Sequence, residues 1–346
     1  MKNNVITHPR LEEAQRVALP WLDAEAIFAP LPPVPYVLGA LDICPGAPAL
    51  VAGYGYSGKT MALQSMALSV ACGIPAWGTY AVAQGRVAHV DYEQGERLTR
   101  ERYQRLARGL MVGPSDIGDR LRLTSTPQLY LDGTVAEDVL AHELDGCTLA
   151  IVDSLRAAAP TIEENSSDVR RTLDMLGRVS SKTGCSVIVI HHARKPAKDA
   201  AGGAKMAIRG SGAIFDACSS VLVFEAAKGM PITITHEKAR TSGRTVEDFH
   251  LSISDVPNGG DERWGVVVSA EAAPLSAPST LETCVSELVN KHPGLSGRQL
   301  AAFLPETPKA RVYEALSRLE VAGQVEGRPG PNRSMTWWPS VSGTPS

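Results

Sequence analysis

The stretch that decides the fold is Ala49–Thr60, with the sequence ALVAGYGYSGKT. Its last eight residues fit the pattern GxxxxGK[ST], in which glycines let successive backbone N–H groups surround a phosphate at the amino end of a helix. An apolar strand, Ala49–Ala52, precedes the pattern, and a helical segment, Lys59–Cys72, follows it. We therefore expect a nucleotide phosphate site, with Lys59 on the β/γ oxygens and the Thr60 hydroxyl on Mg²⁺. The expected nucleotide-binding residues of this loop are Gly53, Gly55, Ser57, Gly58, Lys59 and Thr60.

Around this loop, short apolar runs alternate with longer helix-like segments. Continuous apolar strands separated by helices favour a mainly parallel sheet with both faces covered, so the pattern predicts an α/β fold. After Val223 the helical segments stop, which predicts antiparallel additions at the end of the sheet. The predicted strands are 49–52, 86–90, 148–152, 186–190, 220–224, 232–236, 246–253 and 264–268, and a further helix is expected over 165–182 behind an Asn165 cap.

Composition sets the broad class. The chain has 346 residues, of which 44% are hydrophobic and 21% charged, and its formal net charge is −3. It is long enough for two domains and a full core, and it is not a polycation, so contact with nucleic acid must come from local basic loops. Six separated cysteines without a CxxC pair argue against a zinc ribbon or a disulfide framework. With no membrane-length apolar run and no signal-peptide core, we expect a cytoplasmic protein that does not contact membranes.

Composition also suggests boundaries. Residues 1–47 are punctuated by proline and are expected to form an arm, with a helical turn or two only at Trp21–Phe28. Residues 48–269 are expected to form the phosphate-binding domain, and the Ala/Pro/Ser-rich residues 270–279 a linker. Three helical patterns and a hairpin in 280–340 have the layout of a small winged-helix domain. Residues 341–346 are expected to form a disordered tail.

Two strands end in carboxylates that the phosphate site needs. Leu149–Asp153 is an apolar strand ending in an acid, which predicts that Asp153 holds the Mg²⁺ shell together with Thr60. Val87–Asp91 leads to Glu93, and because the ends of parallel strands converge on one edge, Glu93 is placed to deprotonate an attacking water. Asp91 competes for that role, and a solvated turn is the alternative for Glu93.

These residues together resemble the RecA-like P-loop ATPases, most closely the plasmid RepA-type hexameric helicases and more distantly the DnaB ATPase domain. The resemblance covers roughly residues 28–254. Its motifs are the phosphate loop and four further segments: Pro32–Leu38, Val152–Arg156, Gly184–His192 and Arg209–Gly212.

The resemblance implies further roles. His192, rather than His191, would sense the γ-phosphate, and the alternative is a plain polar end of the strand. A metal site formed by this pair of histidines is disfavoured, because adjacent residues of a strand point to opposite faces. Lys238 and Arg240 would reach a neighbouring subunit's γ-phosphate, unless they are ordinary surface cations. The loop 193–209 would bind DNA rather than being a solvated loop, through Arg194, Lys195, Lys198, Lys205 and Arg209.

The C-terminal segment offers a second DNA-binding surface. In the helical pattern Pro308–Ala322, apolar residues recur at helical spacing, and the cations Lys309, Arg311 and Arg318 face outward, as on a recognition helix. Arg328 and Arg333 would lie on the wing. Acidic residues nearly cancel these charges, so a protein-interaction module remains the alternative.

The sequence thus predicts an ATP- and Mg²⁺-dependent ring, a homohexamer in which single-stranded DNA occupies the channel and duplex DNA binds the winged helix. Its expected activity is that of a replicative helicase of a plasmid or phage-like element. The alternatives are a non-unwinding DNA-binding ATPase, such as a recombination or loading factor or a winged-helix regulator, and an ATP-gated scaffold without DNA.

Overall fold

The computed structural model describes residues 21–162, 168–192, 212–226, 230–272, 280–305, 307, 309–321, 324–330 and 335–340. The predicted basic loop 193–209 and the predicted tail 341–346 lie outside these ranges. So does Asn165, the expected helix cap. None of the helices in the described ranges is long and apolar enough to cross a membrane.

Short helices alternate with strands through most of the chain. The helices are α1 (Ala24–Phe28), α2 (Lys59–Cys72), α3 (Glu96–Gly109), α4 (Pro114–Ile117), α5 (Ala136–Glu143), α6 (Leu155–Ala158), α7 (Val169–Thr183), α8 (Gly212–Ala217), α9 (Thr280–Lys291), α10 (Gly297–Ala302) and α11 (Lys309–Val321). The strands are β1 (Ala49–Gly53), β2 (Val87–Asp91), β3 (Leu121–Ser125), β4 (Leu149–Asp153), β5 (Ser186–His192), β6 (Ser220–Glu225), β7 (Ile232–Ala239), β8 (Phe249–Asn258), β9 (Asp261–Ala272), β10 (Leu295–Ser296), β11 (Val325–Pro329) and β12 (Met335–Pro339).

Nine strands form one sheet in the order β3-β2-β4-β5-β1-β6-β7-β8-β9. The first six strands in this order, β3, β2, β4, β5, β1 and β6, run parallel to one another. The last three, β7, β8 and β9, are added antiparallel. Every residue of β1, β2 and β4 is buried, as parallel strands covered on both faces require. The predicted fold class, a mainly parallel α/β sheet with antiparallel additions, is therefore confirmed.

Helices pack against both faces of the sheet. On one face, Leu63 and Met66 of α2 pack against alternate residues of the strands, such as Ile188. On the other face, Leu173 and Leu176 of α7 belong to a second cluster of buried residues. The phosphate-loop helix thus lies opposite α7, and the loop itself opens at the edge where the parallel strands end.

Part of the expected arm is built into this core. Leu38 and Leu41 are fully buried, and Leu38 pairs with Ile43 in an isolated bridge. The buried Asp42 carboxylate accepts hydrogen bonds from the backbone N–H groups of Thr241 and Ser242, at 2.9 and 2.8 Å. The prolines that predict an arm do end regular structure, but the apolar residues between them still pack into the sheet domain. Only α1 corresponds to the predicted turn of helix.

A separate hydrophobic core lies in residues 280–340. The buried side chains of Val285, Leu300, Leu316 and Trp337 join three helices to a three-stranded antiparallel sheet in the order β10-β12-β11. The described elements follow the predicted order of three helices and a hairpin, with β10 as an additional short strand. The strand β9 continues to Ala272, so the first three residues of the expected linker belong to the sheet.

Two helical glycines provide a test of the packing. A Cβ at Gly109, the last residue of α3, would lie 2.0 Å from the Val266 carbonyl oxygen, whereas a Cβ at Gly177 in α7 would meet nothing closer than 3.6 Å. Alanine favours helix over glycine by about 1 kcal/mol. We therefore expect Gly177→Ala to raise the free energy of unfolding by about 0.5–1 kcal/mol. Gly109→Ala should lower it by about 1–3 kcal/mol, because β9 must move. Urea denaturation of both variants measures the difference, and equal stability would contradict the close packing of α3 on β9.

Candidate active site

The phosphate loop joins β1 to α2 with a backbone that needs glycine at two positions. A Cβ at Gly53 would lie 2.3 Å from the Phe224 carbonyl oxygen, so only glycine lets β1 and β6 approach so closely there. Gly58 has a φ of +80°, and α2 begins directly after it at Lys59. The loop therefore ends with the free N–H groups of a helix terminus facing the site.

Lys59 is buried within the loop. Its Nζ donates hydrogen bonds to the carbonyl oxygens of Gly53 and Tyr54, at 2.9 and 2.8 Å, and to the Ser57 hydroxyl at 3.1 Å. Burial lowers the pKa of Lys59 to about 8. A triphosphate in the loop would supply the negative charge that this partly desolvated ammonium lacks.

Thr60 and Asp153 meet beside the loop. The Thr60 hydroxyl donates to Oδ2 of Asp153 over 2.8 Å. Asp153 is 1% exposed, and its Oδ1 is buried with no hydrogen-bond partner among the described residues. Burial raises the pKa of Asp153 to about 6. An orphaned carboxylate oxygen next to a hydroxyl oxygen is a hard donor pair of the kind that Mg²⁺ binds, so these two residues fit the ion.

Glu93 lies in the loop after β2 and His192 ends β5, the two strands on either side of β4. His192 Nε2 lies 2.9 Å from Oε2 of Glu93, and both side chains are partly exposed. One ligand atom each from Glu93, Asp153 and His192 lies within 4.8 Å of the others. The structure thus brings together the predicted water-activating acid, the predicted Mg²⁺ ligand and the predicted γ-phosphate sensor. The neighbouring His191 is buried in β5.

Asp91, the competitor for water activation, is turned away from the site. It is fully buried, and its carboxylate accepts hydrogen bonds from backbone N–H groups of the next loop and from the hydroxyls of Thr99 and Ser125. Burial raises the pKa of Asp91, but the hydrogen bonds from Gln94 N–H, Thr99 and Glu93 N–H outweigh it and hold that pKa below its ordinary value. A buried carboxylate with four donors is a structural acceptor and is not available to take a proton from water.

Two further polar residues, Gln94 and Arg102, line the site without having been predicted. Gln94 Nε2 lies 3.4 Å from Oδ2 of Asp153, and its Oε1 accepts a hydrogen bond from Arg102 of α3. They border a cavity of about 570 Å³. The cavity is lined by Gly55, Tyr56, Ser57, Gly58, Lys59, Thr60, Met61, Glu93, Gln94, Leu98, Arg102, His192 and Ile253. The sequence carries no signal for Arg102, because the mostly charged helix α3 that places it beside Gln94 was not predicted.

Lys238 and Arg240 lie at the opposite end of the sheet from the phosphate loop of the same chain. In the sheet register Gly53 is level with Phe224, and Phe224 pairs with Ile234, whereas Ala239 pairs with Ser220 at the amino end of β6. Lys238 Nζ donates to the Phe215 carbonyl at 2.6 Å, and Arg240 donates to the Asp216 carbonyl. Neither cation can therefore reach its own chain's nucleotide site.

The predicted DNA-binding residues are only partly described. Lys309 is exposed at the start of α11, and Arg328 on β11 pairs with Glu326 at 2.8 Å and lies over the Trp338 ring at 5.3 Å. The ion pair weakens the case for Arg328, since its charge is already matched. Arg311 and Arg318 lie in α11, with side chains outside the description. The remaining predicted residues, Arg194, Lys195, Lys198, Lys205, Arg209 and Arg333, lie outside the described residues.

Asp153→Asn tests the ion site. We expect this variant to need at least about tenfold more Mg²⁺ for half-maximal ATPase activity, because a neutral amide is a weaker ligand than a carboxylate. The wild-type requirement should also rise as pH falls below about 6, since protonation of Asp153 removes the same charge. Mg²⁺ titrations at pH 7.5 and pH 5.5 measure both effects. An unchanged Mg²⁺ requirement in the variant would exclude Asp153 as a ligand.

The arrangement of these strands defines a class. The loop strand β1 is separated from β4 by β5 alone, and β2, which leads to Glu93, lies directly beyond β4. With Lys59, Thr60 and Asp153 at the shared carboxyl edge, this is the architecture of a RecA-like P-loop ATPase.

Comparison with known proteins shows the family to which the chain belongs. A family model described as an AAA domain matches residues 12–198, more than half of the chain, and the chain belongs to this family. Among solved structures, the crystal structure of the RadB recombinase is similar, with a TM-score of 0.45 and 21% sequence identity; the match covers 65% of this chain and 91% of that chain.

Proposed function

We propose that this ATPase assembles into a ring, a homohexamer, and uses ATP hydrolysis at its subunit interfaces to move along single-stranded DNA as a helicase. The observation that carries the proposal is the position of Lys238 and Arg240. Both cations lie at the end of the sheet remote from their own phosphate loop, so they can complete a nucleotide site only in another copy. A head-to-tail interface of this kind gives a ring where its rotation closes and an open filament where it does not, and we propose the closed ring.

The proposed chemistry assigns one task to each side chain. Lys59 and the loop amides hold the β- and γ-phosphates, while Thr60 and Asp153 hold Mg²⁺, which would neutralise charge on the phosphate oxygens. Glu93 takes the proton from the attacking water. Arg240 and Lys238 of the neighbouring copy stabilise the charge that develops on the transferred phosphoryl group.

The contact between Glu93 and His192 supports a coupling role for His192. At 2.9 Å the imidazole holds Oε2 of the proposed base, and His192 is also the last residue of β5, directly before the basic segment that starts at Ala193. A change at the γ-phosphate that shifts His192 would be transmitted along the backbone to that segment. We propose that residues 193–209 bind the single strand through Arg194, Lys195, Lys198, Lys205 and Arg209, by contact with the charged DNA backbone rather than with the base sequence.

For the C-terminal unit we propose a winged helix that binds duplex DNA. Its three helices and the three-stranded antiparallel sheet support this assignment, with α11 as recognition helix and β11–β12 as the wing. Exposed Lys309 is available for phosphate contact, and Arg311, Arg318, Arg328 and Arg333 complete the proposed surface. The Arg328–Glu326 ion pair favours the rival use of this unit as a protein-docking module.

A forked DNA duplex tests the proposal. We expect the protein to form a closed ring with a non-hydrolysable ATP analogue and Mg²⁺, seen by electron microscopy, and to separate the fork only with ATP. DNA-stimulated ATP hydrolysis without strand separation would favour a recombination or loading factor or a regulator. Hydrolysis that is indifferent to DNA would favour an ATP-gated scaffold.

A further inference from the structure

The buried carboxylate of Asp91 binds the loop that carries Glu93. Asp91 is the last residue of β2, and its Oδ1 accepts hydrogen bonds from the backbone N–H groups of Glu93 at 3.0 Å and Gln94 at 2.9 Å. A single carboxylate oxygen thus fixes two consecutive peptide groups immediately after the strand. This is an Asx-type turn, in which a side chain replaces the missing backbone partner.

The second oxygen of the same carboxylate is anchored in the body of the domain. Its Oδ2 accepts hydrogen bonds from the hydroxyls of Thr99 in α3 and Ser125 at the end of β3, the latter at 3.2 Å. Both Asp91 and Thr99 are fully buried. The position of the loop is therefore tied through one side chain to a helix and to a second strand.

Both residues held by this turn point into the active site. Glu93 reaches His192 at 2.9 Å, and Gln94 reaches Oδ2 of Asp153 at 3.4 Å. The next residue, Gly95, has a φ of +81° and is the N-cap of α3, so the helix begins five residues after Asp91. A shift of the loop backbone would move both side chains together.

We propose that Asp91 is a positioning residue for ATP hydrolysis, which holds the backbone of Glu93 and Gln94 so that the Glu93 carboxylate stays beside His192 and Asp153. This inference rests on the proposed role of Glu93 in water activation. Asp91 itself touches neither water nor phosphate. Its effect is expected in the rate of turnover, since a displacement of about 1 Å in a reacting group can cost on the order of 100-fold.

The experiment compares substitutions that remove different halves of the network. Asp91→Ala removes the acceptor for both loop N–H groups, and Asp91→Asn retains an amide oxygen that can accept them. The matched control, Thr99→Val, removes a donor to Oδ2 but leaves the loop contacts at Oδ1. If Asp91→Ala does not fold, Asp91→Ser replaces it, because the shorter serine side chain cannot connect the loop N–H groups to the hydroxyls of Thr99 and Ser125.

Three quantities are measured: kcat, the Kd for Mg²⁺–ATPγS, and the hydrogen-exchange rates of the amides of Glu93 and Gln94. In Asp91→Ala we expect kcat to fall about 100-fold, Kd to change less than about threefold, and exchange at these two amides to rise. Asp91→Asn should restore kcat to within about tenfold of the wild type, whereas Thr99→Val should keep kcat and both amide exchange rates near wild type despite a lower Tm.

Two outcomes would overturn the inference. One is wild-type kcat in folded Asp91→Ala or Asp91→Ser; the other is a loss of kcat in Thr99→Val as large as that in Asp91→Ala, which would show a general loss of packing. Glu93→Gln is measured in parallel. If that variant is inactive while Asp91→Ala is fully active, only the positioning role fails; if Glu93→Gln hydrolyses ATP normally, the proposed role of Glu93 fails and the inference fails with it.

Discussion

Glu93→Gln is expected to lower kcat for ATP hydrolysis by about 10²–10⁴-fold, with little change in the affinity for Mg²⁺–ATP. In the unsubstituted protein, His192 Nε2 lies 2.9 Å from Oε2 of Glu93. The glutamine amide has the same shape and can still accept a hydrogen bond from this nitrogen, but it cannot take a proton from water. Lys59, Thr60 and Asp153 remain in place, so the nucleotide should still bind. Single-turnover hydrolysis and equilibrium binding of ATPγS separate the two effects.

The matched control for this prediction is Glu96→Gln. Glu96 lies three residues further along the chain, at the start of α3, where it forms an exposed ion pair with Arg100 at 2.8 Å. Exposed pairs of this kind contribute about 0–1 kcal/mol to stability, so this variant should hydrolyse ATP at the wild-type rate. Normal turnover by Glu93→Gln would show that Glu93 is not the general base and that another group in the cavity takes the proton from water.

The predictable part of the fold is the part buried on both faces. The strands β1, β2 and β4 are runs of apolar residues because they are covered by helices on each side, and such runs are visible in the sequence alone. The edge strand β3 was missed, since its residues alternate between half-buried and exposed. The helix α3 was also missed, because charged residues dominate it and only Thr99, Tyr103 and Leu106 are buried. Elements at the margin of a sheet carry weak apolar patterns, and their place is decided by tertiary contacts.

The same distinction holds at the site. The positions of Lys59, Asp153 and Glu93 follow from chain-local patterns, because a loop motif and two strand ends must converge at one edge of a parallel sheet. Gln94 and Arg102 could not be predicted, since their relation depends on how α3 leaves the loop. The direction of Asp91 could not be predicted either, because a strand-end acid can face water or fold back onto its own turn. The outcome depends on four hydrogen bonds, two from the backbone of that turn and two from the hydroxyls of Thr99 and Ser125.

Arg240→Ala is expected to lower kcat by about 10³–10⁵-fold, the range found where an arginine from another chain stabilises phosphoryl transfer. The variant should still bind Mg²⁺–ATP, because the residue lies at the end of the sheet remote from its own phosphate loop. In the isolated chain its guanidinium donates to the Asp216 carbonyl, a contact that a phosphate group in the neighbouring copy would replace. The matched control is Arg244→Ala, an exposed cation four residues away, which should leave turnover unchanged.

Mixing two inactive variants tests whether Arg240 acts between chains. Lys59→Ala lacks a working phosphate loop but keeps Arg240, whereas Arg240→Ala keeps the loop, so neither forms a complete site alone. In randomly mixed rings at equal concentration, an intact loop faces an intact arginine at roughly one interface in four, and activity should recover to about a quarter of wild type. Recovery of this size requires that one copy complete the site of the next. If the mixture stays inactive although the chains exchange between rings, or if Arg240→Ala alone turns over normally, the cation serves its own chain's structure and the ring proposal loses its main support.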